Sequence, residues 1–131
     1  MIRQIYPIVT TIKLSACRDF YVRLLGGEVV FAGRWYLQVR LGQAEIGFVH
    51  PEAPTEIPLY RQAIVSKGLS LALEVEDADA EHRRLRALGV ETLGRPKHSD
   101  WGEFHFRLLD PAGCVINVLE RRQPDADLIE I

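Results

Sequence analysis

Ten side chains in the sequence have the chemistry to bind or act on a small molecule. They carry phenol, amide, guanidinium, carboxylate, hydroxyl, indole or imidazole groups, and most of them alternate with apolar residues, as in β-strands. The candidates are Tyr36, Gln38, Arg40, Glu45, Ser70, Glu74, Trp101, His105, Arg107 and Asn117. Because alternate residues of a strand share a face, the pattern predicts sheets with one polar and one apolar face.

Two interpretations of the polar face stay open, a solvated surface and the lining of a cavity. Arg40 and Arg107 suit a carboxylate or a planar, electron-rich ligand, and Glu45 and Glu74 can pair with them or act as bases. A solvated face is usually rich in Lys, Glu and Thr, whereas this set contains no Lys, which favours a cavity. Trp101 fits either a ring that stacks on a planar ligand or a cap over the end of a sheet.

The four histidines differ in the position that the sequence predicts for them. His105 falls on the polar face and is the one expected to line a pocket. His82 is expected on the solvent side of a helix, and His50 and His98 are expected in loops. The residue types therefore favour His105 over the other three as a ligand-binding histidine.

The elements that must position these groups follow an order that occurs twice. Residues 8–31 and 71–94 each begin with a β-rich run, continue with apolar residues at helical spacing and close on Leu-Gly. The first helix is expected over 15–25 with Ser15 as its N-cap, and the second is expected to begin at Asp77 or Asp79.

Several strands are expected after each helix, which makes the order βαβββ in both halves. Their predicted ranges are 28–31, 34–41, 44–49, 90–94, 103–109 and 114–120. We interpret residues 1–131 as a single domain with module one at 5–49, a proline-bearing connector at 50–67, module two at 68–120 and a tail at 121–131.

Composition excludes several classes of protein. The chain has 131 residues and a formal net charge of −2, so no broad basic surface is available for nucleic acid. No apolar run approaches the roughly 20 residues of a membrane-spanning helix, and the first residues do not resemble a signal peptide. Two cysteines do not make a disulfide framework. A cytoplasmic protein with a small-molecule ligand is therefore expected.

The paired βαβββ order and two segments resemble the vicinal oxygen chelate superfamily, which includes glyoxalases, bleomycin-resistance proteins and extradiol dioxygenases. The segments are RDFYVRLLGGEVVF and WGEFHFRLLDPAGCVINVLE, and the resemblance covers roughly residues 5–120. It implies an α+β fold in which two βαβββ modules form a curled mixed sheet around a cavity. It also implies a homodimer.

Metal-dependent members of that family use up to four ligand positions on the first and last strands of each module, filled by His, Gln or Glu. The resemblance carries these positions to Ile5 or Tyr6, Gly47, Ser70 and Asn117. Divalent ions of catalytic sites prefer carboxylate or imidazole ligands. We therefore expect no metal site and no cofactor.

The expected function is that of a small-molecule-binding protein of the glyoxalase/bleomycin-resistance type without a metal-dependent active site. The alternative is a metal-dependent lyase, isomerase or dioxygenase with a divalent metal held by Glu45, His105 and Glu120. A metal-free isomerase with Glu45 or Glu74 as its base also stays open, as does a non-catalytic scaffold whose tail packs across a dimer. Whether the protein is an enzyme is therefore left open by the sequence.

Overall fold

A computed structural model describes residues 1–54, 69–99 and 102–122. The predicted βαβββ order is confirmed in both halves, and its bounds are as follows. The elements are β1 (Ile8–Thr10), α1 (Leu14–Arg18), a π-helical segment (Asp19–Leu24), β2 (Glu28–Ala32), β3 (Tyr36–Leu41), β4 (Ala44–Val49), β5 (Ser70–Glu74), α2 (Ala78–Ala87), β6 (Lys97–His98), β7 (Glu103–Leu109) and β8 (Val115–Arg121).

Three sequence predictions fall outside the described residues: the position of Trp101, the connector after residue 54 and the tail after residue 122. Within the described part of the chain, no helix is long and apolar enough to span a membrane.

The strands form two four-stranded mixed sheets with the same internal order. The first sheet runs β1-β4-β3-β2 and the second β5-β8-β7-β6. In each, the first strand of the module pairs in parallel with the last strand, and the other pairings are antiparallel. The chain divides into two compact units, and the turn at 110–113 belongs to the first of them although it joins β7 to β8.

The core of the first unit lies between the helical segment and the inner face of β3 and β4. Tyr21, Val39 and Phe48 are fully buried, and the rings of Tyr21 and Phe48 lie 5.2 Å apart between centroids. The hydroxyl of Tyr21 donates a hydrogen bond of 2.7 Å to Oδ2 of the buried Asp110. This bond connects the turn at 110–113 to the helical segment of the first unit.

The first helix differs from the prediction at its start and in its type. Ser15 is not the N-cap, because the Lys13 carbonyl already accepts the first helical bond from the N–H of Cys17, at 3.0 Å. From Asp19 onward the segment is a π-helix, in which the N–H of Leu25 donates a hydrogen bond to the carbonyl of Phe20. Gly26, at φ 76°, ends it, as the sequence predicts.

The core of the second unit lies between α2 and the apolar face of β7 and β8. Leu85 of the helix is fully buried, as are Leu108 and Ile116 of the sheet. Asp77 is the N-cap of α2, and its carboxylate accepts a hydrogen bond from the N–H of Ala80. Of the two residues predicted as the N-cap, Asp77 is therefore the one that caps α2.

The predicted strand at 90–94 is wrong. The N–H of Val90 bonds back to the carbonyl of Leu85 and closes the end of α2, and Gly94 has a φ of 96°, which an extended strand does not accept. Lys97 and His98 form the edge strand β6 instead, paired with β7. His98 therefore lies in a strand and not in the expected loop.

Candidate functional site

The polar face of the first sheet brings together four of the predicted candidates. Tyr36, Gln38 and Arg40 alternate along β3, and Glu45 of β4 lies directly opposite Arg40. Leu37 and the other apolar residues between them face the core, as the strand period predicts. The predicted shared face is therefore present in this unit.

Hydrogen bonds join these side chains in a fixed direction. The hydroxyl of Tyr36 donates to Oε1 of Gln38 at 2.5 Å, and Nε2 of Gln38 donates to Oε1 of Glu45 at 2.7 Å. Arg40 lies 3.6 Å from the second carboxylate oxygen of Glu45 and 3.7 Å from the carboxylate of Glu28 on β2. Glu45 thus lies between an amide donor and a guanidinium.

The pKa of the Glu45 carboxyl lies below its ordinary value. The hydrogen bond from Gln38 is the main cause, hydrogen bonds from Gln4 and Arg40 and the Arg40 charge add to it, and desolvation acts in the opposite direction. A carboxylate held ionised in this way is a hydrogen-bond acceptor and a weak base. The arrangement gives no support to Glu45 as a catalytic base near neutral pH.

Gly47 makes room for the phenol of Tyr36. A Cβ atom built at this position would overlap the Tyr36 hydroxyl, and it would lie 2.9 Å from Cζ of Tyr36 and 3.3 Å from Cγ1 of Ile8. Gly47 pairs with Gln38 on one side and with Ile8 on the other. The position to which the family resemblance carries a metal ligand is therefore filled by a tyrosine side chain from the next strand.

The polar face of the second sheet holds a separate hydrogen-bonded group. Nδ2 of Asn117 donates to Oε1 of Glu103 at 3.3 Å, and Oδ1 of Asn117 lies 2.9 Å from Nδ1 of His105. His105 is only 3% exposed. Arg107 lies on the same face, directly opposite Asn117. His105, Arg107 and Asn117 are thus brought together as predicted.

Two other candidates of this unit lie apart from that group. Ser70 is exposed at the start of β5. The carboxylate of Glu74 forms an exposed ion pair with Arg121 at 2.8 Å. Ion pairs as exposed as this one contribute little to stability. Neither residue contacts His105 or Asn117 through a described hydrogen bond, and Trp101 lies outside the described residues.

The remaining histidines have structural contacts. His82 is not simply solvated: its ring lies 5.0 Å from that of Phe106, and its Nε2 lies 3.1 Å from Oγ1 of Thr92. His50 accepts a hydrogen bond from the N–H of Glu52 in a turn, and His98 packs against Phe104. These contacts explain the three residues without a ligand.

The candidate set omits two acidic residues that complete the two groups. Glu103 accepts the hydrogen bond that orients the amide of Asn117, and the carboxylate of Glu28 forms an ion pair with Arg40. Glu103 precedes His105 by two residues, so the strand period already places both on one face. Glu28 has no such signal, because its contact depends on how β2 pairs with β3.

No metal centre is apparent in the part of the chain that the structure describes, since no three His, Cys, Asp or Glu side chains converge there. Glu120, considered as a ligand with Glu45 and His105, has other partners. Its Oε1 accepts a hydrogen bond from the N–H of Ala78 at 3.0 Å, and its Oε2 accepts one from Arg122 at 2.9 Å. Both bonds lower the pKa of the Glu120 carboxyl, the Ala78 bond most.

Comparison with known proteins identifies relatives of the fold. Residues 6–118 match the model of the Glyoxalase/Bleomycin resistance protein/Dioxygenase superfamily, and no curated protein sequence matches the chain. A glyoxalase/bleomycin resistance protein/dioxygenase from Nocardioides is similar with a TM-score of 0.76 and 18% identity, over 93% of this chain and 85% of that one.

Two further solved structures have more specific names. Lactoylglutathione lyase from Agrobacterium tumefaciens has a TM-score of 0.74 and 19% identity, over 92% of this chain and 94% of its own. A bleomycin-binding protein in complex with bleomycin has a TM-score of 0.65 and 22% identity, over 92% of this chain and 100% of its own. At such identities, the likeness establishes the fold.

Proposed function

The chain belongs to the glyoxalase/bleomycin resistance protein/dioxygenase superfamily, and we propose that it is a small-molecule-binding protein without a metal-dependent active site. The observation that carries this proposal is the phenol of Tyr36, which lies over Gly47. A ligand side chain at position 47 is incompatible with that packing. The protein has the fold of the family, but this residue pair favours binding over metal chemistry.

The other side chains near the expected metal positions do not fit a divalent ion either. The carboxylate of Glu45 is engaged by Gln38 and Arg40. In the second unit, the amide of Asn117 uses its oxygen toward His105 and its nitrogen toward Glu103. A divalent ion would have to displace these bonds. It would gain one carboxylate in the second group, that of Glu103, and in the first it would compete with Arg40 for both Glu45 and Glu28.

What the two polar faces offer a ligand is hydrogen-bonding groups and the guanidinium groups of Arg40 and Arg107. Arg40 and Arg107 are planar cations suited to carboxylates, and the amide and imidazole groups beside them are oriented by their neighbours. Ligand sites commonly contain a few such groups that fix orientation. The likeness to a protein solved with bound bleomycin supports a small organic ligand for this chain too.

Binding to metal-free protein tests the proposal. We would treat the protein with EDTA and screen it by thermal shift against small organic acids and planar aromatic compounds. Compounds that stabilise the wild type should stabilise Arg40→Gln or Arg107→Gln less, and the control variant Arg83→Gln, on the surface of α2, should behave as the wild type. Stabilisation that appears only after a divalent ion is added would overturn the proposal.

A homodimer is the second part of the proposal, and the edge strand β2 supports it. This strand pairs with β3 alone among the described strands, and Val29, Val30 and Phe31 are 37%, 44% and 56% exposed. An exposed apolar edge strand is a surface for pairing with another chain. Light scattering should give a dimer for the wild type and for the control Leu88→Lys, and a monomer for Val30→Lys. A monomeric wild type would contradict this part.

A cytoplasmic location is the third part of the proposal. The side chains of Cys17 and Cys114 are both buried, as small apolar groups are, and two cysteines are too few for the disulfide framework of many small exported domains. Fractionation of cells that express the full chain should recover it with soluble cytoplasmic markers, and recovery with exported proteins would contradict the proposal.

A further inference from the structure

We propose that His105 and Arg107 bind a carboxylate ligand that carries a hydrogen-bond donor, O–H or N–H, on the carbon next to the carboxylate. This ligand class rests on the proposed function and states which chemistry the polar face of the second sheet selects. Its support comes from the tautomer of one histidine and the unbalanced charge of one arginine.

The hydrogen-bond chain from Glu103 fixes the tautomer of His105. A carboxylate only accepts hydrogen bonds, so the group of Asn117 that lies 3.3 Å from Oε1 of Glu103 must be its NH₂. The amide oxygen of Asn117 then points to Nδ1 of His105, at 2.9 Å. Because that oxygen only accepts, Nδ1 carries the proton, and in the neutral ring Nε2 carries the lone pair.

Nε2 of His105 is a hydrogen-bond acceptor without a partner among the described residues, so it can bind a ligand. Within residues 1–54, 69–99 and 102–122, the hydrogen bond of the His105 side chain is the one through Nδ1. No side-chain nitrogen or oxygen of these residues is both fully buried and without a hydrogen-bond partner, so Nε2, which has no partner among them, is not fully buried. A buried ring with one fixed donor and one accessible lone pair selects a donor on the ligand.

Arg107 supplies the charge for the carboxylate of the ligand. It follows His105 by two residues on β7, so the two side chains leave the same face, roughly 7 Å apart at the backbone. Among the described residues, no ion pair engages Arg107: the carboxylate of Glu103 accepts a hydrogen bond from Asn117, and that of Glu74 pairs with Arg121. Its guanidinium therefore has two parallel N–H donors for a carboxylate.

A ligand with adjacent acid and donor groups fits this pair of side chains. Its carboxylate binds the fork of Arg107, and the O–H or N–H on the next carbon donates to Nε2 of His105. Two hydrogen bonds of about 2.8 Å together with the short ligand make a length comparable with the backbone separation of roughly 7 Å. A 2-oxo acid is disfavoured because its carbonyl oxygen would face the lone pair of Nε2.

Four related acids test this selection on the EDTA-treated wild type by calorimetry. Mandelate offers an O–H and N-acetylphenylglycine an N–H beside the carboxylate, phenylacetate offers neither, and benzoylformate offers only an acceptor. We expect mandelate or N-acetylphenylglycine to bind about tenfold more tightly than phenylacetate, as one buried hydrogen bond allows, and benzoylformate to bind no better than phenylacetate. Tighter binding of mandelate would identify the ligand as a hydroxy acid, and tighter binding of N-acetylphenylglycine would identify it as an N-acylated amino acid.

Two variants separate the roles of the side chains. His105→Asn keeps an N–H donor at the place of Nδ1 and removes the lone pair of Nε2, so the preference for the donor acids should vanish while phenylacetate binding stays the same. Arg107→Gln should weaken the binding of all four acids, and the control Arg83→Gln should weaken none.

Long-range ¹H–¹⁵N spectra of the wild type supply a test that needs no variant. They should show that Nδ1 of His105 is protonated and that its Nε2 is not.

The outcomes distinguish this ligand class from the proposed function. A neutral His105 with its proton on Nε2, or phenylacetate binding as tightly as both donor acids, would overturn the selection described here. If none of the four acids binds while other small molecules bind the metal-free protein, the ligand class is wrong and the proposed function stands. If binding of every kind requires a divalent ion, the proposed function itself fails.

Discussion

Gly47 and Tyr36 share one small volume on the polar face of the first sheet, and this packing can be tested directly. Gly47→Ala places a Cβ against the phenol of Tyr36. Overpacking of this kind typically costs about 1–3 kcal/mol of the free energy of unfolding. Urea denaturation of Gly47→Ala should show that loss, and in a Tyr36→Ala background the same substitution should cost much less. An equal loss in both backgrounds would show that the phenol does not occupy this volume.

The hydrogen bond from Gln38 should control the acidity of Glu45. Gln38→Leu removes the largest cause of the lowered pKa, so the pKa of Glu45 should rise toward its ordinary value of 4.5. Carbon-13 NMR of the carboxyl group during a pH titration measures this change. The pKa of Glu120, which is lowered mainly by the N–H of Ala78, should stay where it is and serves as the control.

The sign of the accompanying change in stability follows from linkage. Because the folded pKa of Glu45 lies below the unfolded one, its ionisation stabilises the fold at pH values above about 4.5, and this contribution is lost as the pH falls through the folded pKa. Gln38→Leu should therefore reduce the dependence of stability on pH in the acidic range. An unchanged dependence would indicate that the bond from Gln38 does not act on Glu45.

At the residue scale, the sequence predicts faces better than partners. The two-residue period of strands correctly places Tyr36, Gln38 and Arg40 together, because it depends only on local geometry. It does not reveal that the Tyr36 phenol lies over Gly47 or that Glu28 reaches Arg40. Those contacts depend on the pairing of separate strands, which local sequence does not specify.

The helices show at the scale of elements how capping decides between similar residues. Asp77 accepts a hydrogen bond from the N–H of Ala80, whereas Asp79 forms an exposed ion pair with Arg83. Asp77→Ala should destabilise the protein by about 1 kcal/mol. Asp79→Ala should cost less, about 0.3–0.5 kcal/mol. Thermal melting of the two variants compares them, and equal losses would contradict the assignment of the cap.

The elements that the sequence misplaces fail for identifiable reasons. The strand expected at 90–94 is displaced because Val90 completes the end of α2 and Gly94 adopts a positive φ. The start of α1 shifts because the carbonyl of Lys13, and not that of Ser15, accepts the first helical bond. Backbone hydrogen bonds at the ends of helices therefore decide boundaries that hydrophobic periodicity leaves uncertain.

The whole molecule repeats one plan, two mixed sheets of four strands with the same order. Each sheet has an apolar face that packs in the core of its own unit and a polar face with a hydrogen-bonded group of its own. The sequence predicts this duplication because both copies repeat the same order of β-rich run, helical spacing and Leu-Gly. The polar groups of the two copies differ, so the repeat conserves the fold and not the chemistry.

The metal content of the purified protein tests the proposal that this member of the superfamily binds its ligand without a metal. We would purify the full chain without chelators or a metal-binding tag and measure bound Mg, Mn, Fe, Co, Ni, Cu and Zn by mass spectrometry. We expect far less than one ion per chain and a melting temperature that divalent ions do not raise. One ion per chain, together with a large increase of the melting temperature when it binds, would show that the protein uses a metal.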